Sequence, residues 1–198
     1  QMVTIRALAE KLGATLSGFS EGYIKKGDGD DYLIQDDKSP NRAGLVLLGI
    51  DCSKATLEGA LEGAQLLINF NNDLTLFFDD KRLDELLRDT KIIAVTPYDG
   101  ACTALADMAI PVASFTEYSG TVINCDNILQ SFKKAITKND DLADMSEIAV
   151  QLGSPLVSPE ERYAELQKVI PVLSKFQSDK IPAEGLNLND SEAANVTA

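Results

Sequence analysis

The sequence predicts an α/β fold, an open and mainly parallel sheet with helices on both faces, and three observations support it. Apolar runs of strand length occupy residues 43–50 (AGLVLLGI), 65–70 (QLLINF) and 90–96 (TKIIAVT). Helical spacing fills the gaps between them, over about 54–63 and about 79–88, the second with Leu83, Leu86 and Leu87 on one face. Polar corners at Asp51-Cys52-Ser53 and Asn71-Asn72-Asp73 separate strand from helix. Continuous apolar runs suit strands covered on both faces, and strand-helix-strand alternation suits parallel crossovers.

The remaining elements follow from local signals. Residues 3–12 place Ile5, Leu8, Ala9 and Leu12 at helical spacing, and Gly13 stands where a helix stops. Residues 17–41 are rich in Gly, Asp, Ser and Lys and predict a long surface loop. A fourth strand is expected at 109–112, confined to an edge by Pro111, with Val122-Ile123 as a further extended point. Residues 140–152 predict a helix with Leu142, Met145, Ile148, Ala149 and Leu152 inward. Ser158, Pro159 and Glu161 form a capping box for a helix through Tyr163, Leu166, Val169 and Ile170, kinked or ended by Pro171. From about Ser178 the residues are polar and small, which predicts a disordered tail. The expected organisation is a helix and loop over 1–42, an α/β domain over 43–153, a C-terminal helix over 154–177 and a tail over 178–198.

Composition narrows the chemistry. With 198 residues, 44% hydrophobic and 25% charged, a sizeable core is expected. A net charge of -13 argues against nucleic acid, and the pairs Lys25-Lys26 and Lys133-Lys134 read as solvated surface. Histidine is absent from the sequence, which excludes imidazole catalysis and leaves zinc only thiolates and carboxylates. Cys52, Cys102 and Cys125 form no C-x-x-C pair and predict free thiols rather than a disulfide framework. Cys52 and Cys125, close to strand ends, keep a nucleophile or ligand role open. No apolar run approaches the roughly 18 to 20 residues that cross a bilayer. A soluble, cytoplasmic chain is the expectation, with any membrane association made through protein contacts.

In parallel sheets ligands gather at the carboxyl ends of strands. Asp51, Asn71, Asn72, Asp73 and Asp99 are expected there, acceptors that would suit ribose hydroxyls. A diphosphate needs a glycine-rich turn, and residues 49–53 supply one glycine. Neither G-x-G-x-x-G nor G-x-x-x-x-G-K-[ST] occurs. Helix capping is the plainer reading of these residues, and also of Asp79-Asp80 and Asp140-Asp141. Glu117 stands between an apolar strand and a Gly-Thr turn, where partial burial would perturb its pKa, without an identifiable titrating partner.

One stretch carries a family pattern. Thr103, Ala106-Asp107 and Pro111 match T-x-x-A-D-x-x-L-P, with Ile110 where leucine is usual. Glu117, Gly120-Thr121 and Asn124 match E-x-x-G-T-x-x-N, and Gln130 falls at that segment's terminal glutamine. The combined pattern resembles the molybdopterin oxidoreductase superfamily, most closely the large iron-sulfur subunit of respiratory NADH-quinone oxidoreductase. The likeness covers roughly 43–153 and implies the third domain of that family. In cofactor-bearing members this region lies beside a pterin guanine dinucleotide, which makes Asp51, Asn71, Asp99, Thr103, Asp107, Glu117, Gly120, Thr121 and Asn124 vestigial contact candidates. Where the family continues N-x-E-G-R, this chain reads Asn124-Cys125-Asp126-Asn127-Ile128 and lacks the arginine that would pair a phosphate. The resemblance therefore implies a non-catalytic, structural and assembly portion of the respiratory protein, peripheral to the inner membrane through the complex. It implies no cofactor in this chain, iron-sulfur clusters elsewhere in the parent subunit, and the other subunits of the complex as partners. The alternative it leaves is a molybdopterin guanine dinucleotide-binding portion of an enzyme such as a formate dehydrogenase.

Overall fold

Helix α1 (Met2–Leu12) ends at Gly13, whose left-handed backbone (φ 62°) lets its N–H and the next close on Glu10 and Ala9 carbonyls. Val3, Ile5 and Leu8 form its buried stripe. The structure, a computed structural model, describes residues 1–18, 27, 29–30, 36, 39, 41–176 and 180–189. Most of the loop expected over 17–41, and residues 190–198 of the expected tail, lie outside them.

The central layer is a three-stranded parallel sheet in the order β1 (Leu66–Phe70), β2 (Lys91–Thr96), β3 (Met108–Pro111). Leu66 pairs with Lys91 and Ile93 with Met108 in register. Helices α3 (Lys54–Leu61) and α4 (Asp80–Leu87) follow the expected spacing. Ser53 and Asp79 cap them by accepting the N–H of Thr56 and Arg82. One face of the sheet puts Leu67 against Leu57, Leu61, Leu74, Phe77, Leu83 and Leu86. The other puts Ile68, Phe70, Ile93, Val95 and Ile110 against Met145 and Ile148 of α6 (Met145–Gln151).

Three expectations are corrected. The run 43–50 is not the first strand but a short helix, α2 (Arg42–Leu47). An eight-residue apolar run has no periodicity to separate strand from buried helix. Here Gly44 packs on Asn41, whose side-chain oxygen accepts the Ile123 N–H at 2.8 Å, and Gly49 turns the chain at φ 71°. Leu48 and Ile50 are buried while Val46 and Leu47 face outward. The third parallel strand is β3 instead, at the edge that Pro111 implied. The helix expected over 140–152 starts later, because Asp144 accepts the N–H groups of Ser146 and Glu147 while the Glu147 carboxylate accepts the Asp144 N–H. Asp140-Asp141 precede it and do not cap it.

The third correction is a second sheet. β4 (Gly120–Ile123) and β5 (Ile128–Phe132) form an antiparallel hairpin, and β6 (Leu186–Asn187) adds to β5. Within the stretch expected to be disordered, Ile181 is buried with Ile123, Leu129, Ile170 and Leu173. α7 (Pro159–Val169) has the expected capping box and gives way at Ile170 to a 3-10 turn, Pro171–Lys175.

Candidate functional site

The carboxyl ends of β1, β2 and β3 form the surface where a ligand would be sought. A well-buried polar residue there is Asn69, 7% exposed, which sequence reasoning passes over inside an apolar run. The Asn69 amide nitrogen donates to the Asn72 carbonyl (2.7 Å) and to Cys102 Sγ (3.3 Å). Its oxygen accepts the Asn72 N–H (3.0 Å). A polar residue interrupting QLLINF two positions before a turn is the available signal. Burial pushes the Cys102 thiol up, and the Asp73 charge adds in the same direction.

Asn71 and Asp99 sit at this end, as expected. Asn71 adopts φ 52°, donates its N–H to the Val95 carbonyl and accepts the Thr96 hydroxyl at 3.0 Å, so it ties β1 to β2. Asp73 accepts the Thr75 N–H and hydroxyl. Asp99 accepts the Thr103 hydroxyl (2.7 Å), which in turn accepts the Gly100 N–H (2.9 Å) and starts α5 (Ala101–Ala104). Asp51 ends no strand. With α2 in place of a strand, it braces the start of α3 by accepting the Ser53 N–H (2.8 Å) and the Thr56 hydroxyl (2.6 Å), contacts that hold its pKa low, Thr56 foremost. It borders an open hollow of about 340 Å³ that Arg42, Gly49 and Cys52 also line.

The family-pattern residues are spread apart. Asp107 occupies the amino end of β3, opposite Asn71 and Asp99. There it accepts the Ile92 N–H (2.9 Å) and the Lys91 ammonium (2.6 Å); Lys91 foremost, these contacts lower its pKa. Glu117 accepts the N–H groups of Ser114 (2.8 Å) and Asn139 (3.3 Å) and is also held low, the reverse of what burial would do. Gly120 lies under the Phe132 ring, where a Cβ would come within 3.0 Å of a ring carbon. Thr121 pairs with Ser131 across the hairpin. Asn124 shapes its turn by accepting the N–H groups of Asp126 (3.0 Å) and Ile128 (2.9 Å). The acceptors of Asp107, Glu117 and Asn124 are thus turned to donors of this chain, and Asp107 lies at the end of the sheet opposite Asn71 and Asp99. This set does not fit joint contact with one dinucleotide.

Two relatives bear on this arrangement. Over 94 residues the chain is 31% identical to the G subunit of NADH-quinone oxidoreductase from Pseudomonas fluorescens, and 29% identical to its counterpart from Pseudomonas putida. This chain is similar to that G subunit. The likeness covers 46% of this chain and 10% of each relative, so the chain spans about a tenth of their length. No family model matches the chain. Among the described residues, no helix is long and apolar enough to cross a membrane, and no group of three or more Cys, Asp and Glu is placed to hold a metal ion.

Proposed function

We infer that this chain is a non-catalytic, structural and assembly portion of the large subunit of a respiratory NADH-quinone oxidoreductase, the complex that passes electrons from NADH to quinone. The similarity to the G subunit over 94 residues carries this reading. The site geometry supports it. Asp107 fixes the entry of β3 beside β2, Glu117 ties the segment after β3 to Asn139, and Asn124 templates the β4–β5 turn. Each is a brace rather than a reagent. The work assigned to the chain is to hold two small sheets in fixed relation within a larger assembly. Its partners are the other subunits, its place is the cytoplasmic side of the inner membrane, and iron-sulfur clusters belong to the rest of the parent subunit.

The test is to tag the chain in cells that make such a complex and to purify the complex through its other subunits. The chain is expected in stoichiometric amount, and the isolated chain is expected to carry neither molybdenum nor iron. A guanine nucleotide at 100 times a genuine dissociation constant would stabilise the fold by about 2.7 kcal/mol. A thermal shift of that size, or molybdenum in the purified protein, would overturn this reading in favour of a cofactor-binding portion of a molybdopterin enzyme.

A further inference from the structure

β1 has the sequence of a central strand and the position of an edge strand. Its residues, LLINF, include no charge and no proline. Lys91 donates its N–H to the Gln65 carbonyl, and Asn71 donates to Val95, so the backbone groups of residues 65, 67, 69 and 71 face β2. Those of Leu66, Ile68 and Phe70 point the other way. Among the described residues, no hydrogen bond reaches these outward N–H and C=O groups.

The opposite edge is built differently. Lys91 and Asp107 place charges at the start of β3, and Val112 bridges to Ala143, with Ala113 N–H bonded to the Ala143 carbonyl at 2.8 Å. These are the devices that keep an edge from recruiting another strand. β1 has none of them, and Leu66 is 54% exposed. Both faces of β1 are nonetheless covered, by Met145 and Ile148 on one side and by Leu57 and Leu61 on the other. Its free backbone groups therefore open between two apolar layers, where unpaired groups are costly.

We propose that the free edge of β1 is completed by a further β-strand from the remainder of a longer protein of the kind these two relatives represent. The proposal rests on the functional reading above. Those relatives hold about ten times the length of chain matched here, ample to supply a strand. The described residues that lead into β1, 41–65, are helices joined by short turns and offer no strand of their own. The incoming segment is uncharged and apolar on both faces, because it lies beside Ile68 and Phe70 on one face and Leu67 on the other.

Hydrogen exchange read at single amides tests this, on the isolated chain and on the complex containing the whole large subunit. In the isolated chain, Leu67 and Asn69 amides exchange slowly while Ile68 and Phe70 exchange fast. In the complex, Ile68 and Phe70 slow by on the order of 100-fold or more, and a photoreactive amino acid in place of Leu66 captures another segment of the same large subunit. Unchanged exchange at Ile68 and Phe70, with the chain present in the complex, overturns the proposal and leaves the functional reading standing. Slow exchange at both in the isolated chain, or capture of a different subunit or a second copy, overturns it as well. A chain that never enters the complex removes the functional reading, and the proposal with it.

Discussion

Asn69 shows how a single side chain can stand in for several backbone bonds. Its amide satisfies both the N–H and the C=O of Asn72, so truncation leaves two backbone groups without partners at a largely buried corner. Asn69→Ala is expected to cost about 1–3 kcal/mol in urea unfolding. The acidic braces make a different prediction. Asp51, Asp107, Glu117, Glu147 and Glu161 all have pKa values below the ordinary 3.8 or 4.5. Depressed folded-state values mean that the unfolded chain takes up protons first, so these groups stabilise the fold above the ordinary values. Their contribution disappears as pH falls below them. A titration of melting temperature should drop as pH falls below about 4.5; a Glu117→Gln variant should show a shallower drop. Sequence alone identifies Asp51, Asp99 and Asn71 as turn and cap residues. Asp107 precedes the strand expected at 109–112 and so belongs to its amino end; the family pattern, not strand direction, puts it among the contact candidates.

Helices announce themselves through their caps, and the capping box at Ser158 and Glu161 is present as expected. Ser158→Ala should lower stability by about 1 kcal/mol, and helical content in α7 should fray from its first turn. Between α3 and α4, Arg82 reaches Glu58, Glu62 and Glu85. Replacing it by methionine leaves three like charges facing one another. Arg82→Met should therefore reduce the melting temperature at low salt, and the deficit should shrink as salt screens the repulsion. Elements without such punctuation are harder to read. Residues 43–50 are equally apolar in either conformation, and contacts between residues far apart in sequence, such as the Asn41 bond to Ile123 and the packing of Leu48 and Ile50 on Val3, hold the helix. The second sheet escapes a sequence reading for a related reason: its strands are short and half polar, and β6 lies far along the chain in a stretch of loop-like composition.

At the scale of the molecule, a parallel sheet and an antiparallel one share a chain in which α1 and residues 181–188 are both packed against distant elements. Removing everything after Phe176 should expose Leu129 and Ile123, reduce cooperativity in thermal unfolding and increase binding of a hydrophobic dye; an unchanged transition would mean that β6 and Ile181 are ornamental. α1 has an analogous dependence on distant residues. Its Ile5 and Leu8 pack against Ala149, and the Thr4 carbonyl accepts the Ser154 hydroxyl at 2.9 Å. During synthesis at about 5–20 residues per second, that greasy stripe waits roughly 7 to 30 seconds for its cover to be translated. A ribosome-bound intermediate of this chain is accordingly a customer for chaperones from its first helix onward.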